Sequence, residues 1–134
     1  MLRNKTIVIC LAFICLALCA SCAKTDSSVS GTWKISEYEY DGTVYAASDV
    51  MDLCEQCGYS LLEWSETTIK FTRDGSVYMT RSENGKTFEL TGTYIVEDTF
   101  IELVSENDEK KLLGYDGEKI LYDIPLGVTL IFQK

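Results

Sequence analysis

Apolar and polar residues alternate with a period of two along most of the chain beyond residue 31. Ile69 and Phe71 alternate with Thr68, Lys70 and Thr72, and Val77 and Met79 with Tyr78 and Thr80. Phe88, Leu90, Tyr94 and Val96 share one face, as do Ile101 and Leu103, then Ile120, Tyr122 and Ile124, then Val128, Leu130 and Phe132. Such alternation over short runs rich in Thr, Ile, Val, Tyr and Phe predicts strands with one buried face. With a first strand around Trp33-Lys34-Ile35 the total is about eight. Asp41-Gly42, Asp74-Gly75, Asn84-Gly85 and Asp116-Gly117 supply the positive φ that tight turns require, so most connections are hairpins. The simplest topology is an antiparallel up-and-down meander. A sheet of this many strands removes its exposed edges by curling into a barrel.

One segment follows the helical period instead. Val50, Leu53, Cys54, Cys57 and Leu61 fall on one side, with Asp49, Asp52, Glu55 and Gln56 on the other. Ser48 is the expected N-cap and Gly58 the expected stop. A short amphipathic helix is therefore predicted between the first and second strands, its apolar face covering the open end or side of the curled sheet.

The first residues follow neither pattern. Arg3 and Lys5 precede an apolar run from Ile7 to Leu18, then the small pair Ala20-Ser21 and Cys22. This is the plan of an export signal, either an ordinary cleaved one or, since Thr6 to Ala23 is just long enough to span a bilayer, an uncleaved anchor. Ala20-Ser21-Cys22 also resembles the lipobox of bacterial lipoproteins, with Cys19 where the usual Leu stands. That resemblance implies cleavage before Cys22, lipidation of its sulfur and an extracytoplasmic, membrane-tethered protein. The expected organisation is a signal peptide over residues 1–21, a flexible tether over 22–30 and one β domain over 31–134.

Charge narrows the partners. The whole chain has net charge −9, and removing residues 1–21 takes away Arg3 and Lys5 but no acidic residue, which leaves −11. Such a surface repels nucleic acid and anionic headgroups, so a nucleic-acid role is excluded.

Gly31-Thr32-Trp33 is the G-x-W that opens the first strand of lipocalins. The longer pattern runs through Lys34, Tyr38-x-x-Asp41-Gly42, a short helix and Phe71-x-x-Asp74-Gly75, and ends in Thr129-Leu130-Ile131-Phe132-Gln133-Lys134. It resembles the small bacterial lipocalin-like lipoproteins over essentially all of residues 31–134. The resemblance implies a lipocalin-like barrel in which Trp33 plugs one end against a basic residue of the last strand, here Lys134, and a small hydrophobic ligand is held inside. No second lipocalin motif is present. A barrel of eight strands is wide enough either to be filled by its own side chains or to hold one small ligand. The inward residues Phe71, Met79, Phe88, Leu90, Tyr94, Leu130 and Phe132 are bulky enough to keep both alternatives open.

Candidate chemistry is sparse. The chain has no histidine, which removes Ser-His and Cys-His nucleophile systems and imidazole acid–base catalysis. No phosphate-cradling or dinucleotide-binding glycine pattern occurs. Cys54-Glu55-Gln56-Cys57 is a C-x-x-C, but both cysteines lie beyond the first helical turn, beside Asp52 and Glu55, where no positive charge activates a thiol. They are expected to form a disulfide or to pack as small apolar groups. Glu106-Asn107-Asp108-Glu109 lacks the ligand order of a calcium loop and reads as an exposed hairpin loop. No metal, cofactor or catalytic residue is expected.

Tyr38, Tyr40, Tyr45, Tyr59 and Trp64 surround the first strand and the helix, where a ligand would enter if the helix acts as a lid. Tyr38, Tyr40, Tyr59, Trp64 and Tyr94 are the candidate ligand-binding residues. The function expected first is a membrane-anchored carrier of a small apolar molecule. A surface module that binds an envelope protein through a filled barrel comes second, and a thiol-active protein using Cys54 and Cys57 third.

Overall fold

The computed structural model describes residues 28–134. The expected signal, Cys22 and the tether as far as residue 27 lie outside them. Nine strands form one antiparallel sheet: β1 Gly31–Tyr40, β2 Thr43–Ala46, β3 Thr68–Phe71, β4 Ser76–Glu83, β5 Lys86–Val96, β6 Phe100–Ser105, β7 Lys110–Tyr115, β8 Ile120–Ile124 and β9 Val128–Gln133. From β3 to β9 each strand pairs with the next, and β9 pairs back onto β1. Eight strands thus close a ring, with β2 as an addition. The four turn dipeptides lie where the sequence places them, with Gly42, Gly75, Gly85 and Gly117 at φ +78°, +91°, +77° and +95°.

One edge of β1 is shared. Its first half, Gly31 to Lys34, pairs with β3, and its second half, Glu37 to Tyr40, pairs with β2. Because β3 is only four residues long, a gap remains in the wall between β2 and the upper part of β4. The segment between β2 and β3 fills it: a 3-10 turn Ala47–Asp49, helix α1 Val50–Cys57 and a second 3-10 turn Tyr59–Glu63. Leu53, Cys54 and Leu61 are buried there against the barrel core. The helix therefore follows the second strand, not the first, since the turn at Asp41-Gly42 opens a short hairpin before it. Ser48 lies within the leading 3-10 turn and does not cap α1; the residue before the helix is Asp49, without a side-chain cap. Gly58 does end it, at φ +109°, and donates its N–H to the Cys54 carbonyl at 2.8 Å.

A bulge at Ser36 displaces the pairing of β1 with β9 between Ile35 and Glu37. Trp33 and Ile35 face inward before it, and Tyr38 and Tyr40 after it, so one extra residue carries four large side chains to the interior.

The two ends of the barrel differ. Where β1 begins and β9 stops, the interior is filled by Trp33, Phe71, Tyr94, Ile101, Leu113, Ile120 and Phe132, each no more than 2% exposed. Trp33 donates its indole N–H to the Val29 carbonyl at 2.8 Å, Tyr115 meets it edge-on at 6.3 Å, and the Lys134 ammonium lies 5.7 Å above its ring. Ser28–Ser30, expected in the tether, belong to this end: Val29 is fully buried, and Lys134 donates to the Ser28 carbonyl at 2.5 Å.

At the other end the hairpin of β4 and β5 outruns its neighbour. β6 reaches only as far as Gly92 on β5, with one more bond from the Glu106 N–H to the Thr91 carbonyl at 3.2 Å, so residues 86–90 of β5 pair with β4 alone. Phe88 and Leu90 lie on the same face as buried Met79, yet they are 47% and 61% exposed because no wall stands opposite them. These two expected core residues instead line an open mouth.

Candidate functional site

The mouth leads into a cavity of about 230 Å³. Val77 and Met79 of β4, Leu90 and Gly92 of β5, Leu103 and Ser105 of β6, Lys111 of β7 and Tyr122 of β8 line it, with Glu109 at the rim. Cross-strand register explains the set: Val77 pairs with Gly92, Met79 with Leu90, Gly92 with Ser105 and Leu103 with Lys111, and paired residues share a face. Gly92 and Ser105 carry little or no side chain to fill the space between larger neighbours. Gly92 also allows β6 to come close, since a Cβ on it would stand 2.2 Å from the Val104 carbonyl oxygen.

A run of cations and rings crosses the mouth. The Arg81 guanidinium lies 4.3 Å from the centre of the Trp64 ring, Trp64 meets Tyr122 at 5.9 Å with the planes inclined by 47°, and the Lys111 ammonium lies 4.7 Å from the Tyr122 ring. Lys111 also donates to the Asp123 backbone carbonyl at 3.1 Å. Burial raises the Tyr122 hydroxyl above the ordinary tyrosine pKa, and the charge of Arg81 opposes that rise. Trp64, at the end of the segment that fills the wall, is thereby fixed to β4 on one side and β8 on the other.

The candidate aromatic residues do not converge on one site. Trp64 stands at the mouth as described. Tyr40 is half-buried beside the core. Tyr38 is a core residue, 1% exposed, and burial, with a smaller contribution from the Cys54 sulfur, pushes its hydroxyl up to about 12. Tyr59 projects into solvent, 56% exposed. Tyr94 sits at the closed end, its ring 4.8 Å from that of Phe71 and its hydroxyl donating to the Thr72 carbonyl at 2.6 Å. Chain proximity to the helix groups Tyr38, Tyr40, Tyr59 and Trp64, but the bulge in β1 carries Tyr38 into the core, as the inward pleat of β5 does Tyr94. Tyr45 joins β2 to α1 through the Gln56 side chain.

Cys54 and Cys57 are free thiols, not a disulfide. Cys54 is buried under α1 and Cys57 is half-buried. Burial raises both thiols, and Cys57 raises Cys54 further. A backbone hydrogen bond at Cys57 opposes the rise there, but burial outweighs it, so neither thiolate is favoured. Among the described residues no group of three or more His, Cys, Asp or Glu side chains could hold a metal ion.

Arg81, Lys111 and Tyr122 had not been singled out from the sequence as site residues. The available signal was the alternation itself: Arg81 continues the inward series Val77, Met79, and Lys111 shares the inward series of Leu113, so each places a cation where the pattern calls for an apolar residue.

No family model matches the sequence, and the search of curated proteins returns no match. Among solved structures, a lipocalin-like protein from Bacteroides uniformis matches over 81% of this chain and 99% of its own at 16% identity, with a TM-score of 0.50. A protein from Bacteroides eggerthii matches over 79% and 98% at 14% identity, with a TM-score of 0.47. The first likeness, at that identity, is one of fold: the barrel is lipocalin-like.

Proposed function

We propose that this lipocalin-like barrel is a carrier that takes a small, largely apolar ligand into the cavity at its open mouth. The cavity carries the reading. Its walls are mostly apolar, and its volume exceeds the roughly 150 Å³ that suffices for a benzene-sized molecule. It is smaller than the ~300–1,000 Å³ of drug-sized sites, which favours a compact ligand or one short chain. The barrel binds without catalysis and needs no cofactor. On the signal-like first residues, we place it outside the cytoplasm, exported and held at the membrane by a lipid on Cys22.

Native mass spectrometry of gently purified protein tests this directly. A mass excess that denaturing extraction removes is the expected result. Protein of bare mass, together with no shift of the cavity resonances in the presence of small apolar compounds, would overturn the carrier reading. A second reading, a module that binds an envelope protein, draws on Ile95, Leu112 and Leu121, which are 43%, 60% and 39% exposed on the outside of the barrel.

A further inference from the structure

Lys111 occupies an inward position of β7, opposite buried Leu103 and two residues from buried Leu113. A cation on such a face needs partners. It has two, the Asp123 carbonyl and the Tyr122 ring, and neither carries a formal charge. Among the described residues, no carboxylate lies within ion-pair distance of its ammonium. Lys110, on the outer face, contrasts with it, pairing with Glu102 at 3.7 Å. Arg81 lies beyond the same pair of rings, close enough to Tyr122 for its charge to act on that hydroxyl. Of the charged residues that line the cavity among the described residues, Lys111 stands on the inner face, Lys110 faces outward to Glu102, and Glu109 is exposed at the rim.

We infer that the cavity selects an amphiphile bearing a carboxylate, with the acid group on the Lys111 ammonium and a short apolar tail against Val77, Met79, Leu90 and Leu103. The inference rests on the cavity being a ligand site, as proposed above. The Lys111 contact with the Asp123 carbonyl is solvent-exposed, and a purely apolar ligand that displaced this solvent would leave the ammonium with a carbonyl and a ring face only. A carboxylate supplies the charge-assisted hydrogen bond that neither present partner offers. Glu109 at the rim disfavours a dianion such as a phosphate monoester, so the fit is to a monoanion. The tail is short because the cavity is small.

The test compares octanoate with octan-1-ol at about pH 8, where the acid is ionised. Among the described residues the buried core runs from Val29 to Phe132, so a form beginning at Ala23 keeps all of it. Titrations are followed by NMR shifts of the Gly92 and Lys111 amides. Octanoate is expected to bind about tenfold more tightly than the alcohol, the low end for a hydrogen bond to a charged group, and the preference should shrink as salt is added. Lys111→Met should bring octanoate to the level of octan-1-ol and leave the alcohol within about twofold, with Lys111→Gln as a second variant of the same design. Equal affinities in the unaltered protein would overturn the selection for an acid while leaving the ligand site standing. A preference that survives both substitutions would overturn the assignment to Lys111. Binding of neither compound would overturn the ligand site, and this inference with it.

Discussion

Replacing Trp33 with alanine tests the closed end of the barrel. The side chain is 2% exposed, and it is held by three separate contacts: its N–H to the Val29 carbonyl, the edge of Tyr115 and the ammonium of Lys134. Large-to-small replacement of a buried Trp costs about 3–5 kcal/mol, through lost transfer energy and the cavity left behind. The Tyr115 contact adds about 0.5–1.5 kcal/mol, and the Val29 carbonyl, left buried without its donor, about 1 kcal/mol. These contributions overlap, so we expect a loss of about 4–5 kcal/mol. A domain of this size has roughly 5–15 kcal/mol in total, so at the low end of that range the variant is barely folded at room temperature. Trp33→Phe keeps a ring in place but loses the N–H bond, for a cost of about 1–2 kcal/mol. Urea unfolding followed by circular dichroism reads both. With a slope of about 1–2 kcal/mol/M, the alanine variant should lose at least ~2 M from its midpoint. A loss below about 1 kcal/mol at unchanged slope would refute the placement of Trp33 as the filling of that end.

Gly92→Ala drives a Cβ to within 2.2 Å of the Val104 carbonyl oxygen, so β5 and β6 must separate; we expect a loss of about 2 kcal/mol, read as a fall in Tm of roughly 8–16 °C by calorimetry. The Tyr38 hydroxyl, raised to about 12, holds its proton more tightly in the folded chain than in the unfolded one. Its contribution is therefore complete below about pH 10 and is lost as pH rises towards 12; stability measured across that window should fall less steeply in Tyr38→Phe, and equal slopes would contradict the raised value. Both cysteines should resist iodoacetamide at neutral pH, Cys54 more than Cys57, because burial disfavours each thiolate. Rapid alkylation of Cys54 in the folded state, seen by peptide mass mapping, would revive the thiol-active reading.

Much of the barrel was legible because its information is local. The Asp-Gly and Asn-Gly pairs mark hairpins through backbone conformation alone, and period-two runs such as Val128, Leu130, Phe132 state which face is buried. The bulge at Ser36 was not legible. It resets the alternation within β1, and only pairing with β9 shows that Trp33 and Tyr38, of opposite parity, face the same interior. Nor does alternation show how far a strand extends beyond its neighbour, so Phe88 and Leu90 read as core although β6 ends too soon to cover them. The site suffered from a related limit. Aromatic residues close in sequence drew attention to the helix, whereas the mouth is assembled by register from β4, β5, β6, β7 and β8.

The described chain enters the barrel at Ser28 and ends at Lys134, and these two residues meet at the filled end, opposite the mouth. From Cys22, six residues of extended chain reach no further than about 21 Å. Were Cys22 lipidated as proposed, that short leash would hold the filled end towards the bilayer and turn the opening away from it. Cargo would then be exchanged with the aqueous side, or with a protein standing over the surface, and would not slide in sideways from the lipid beneath.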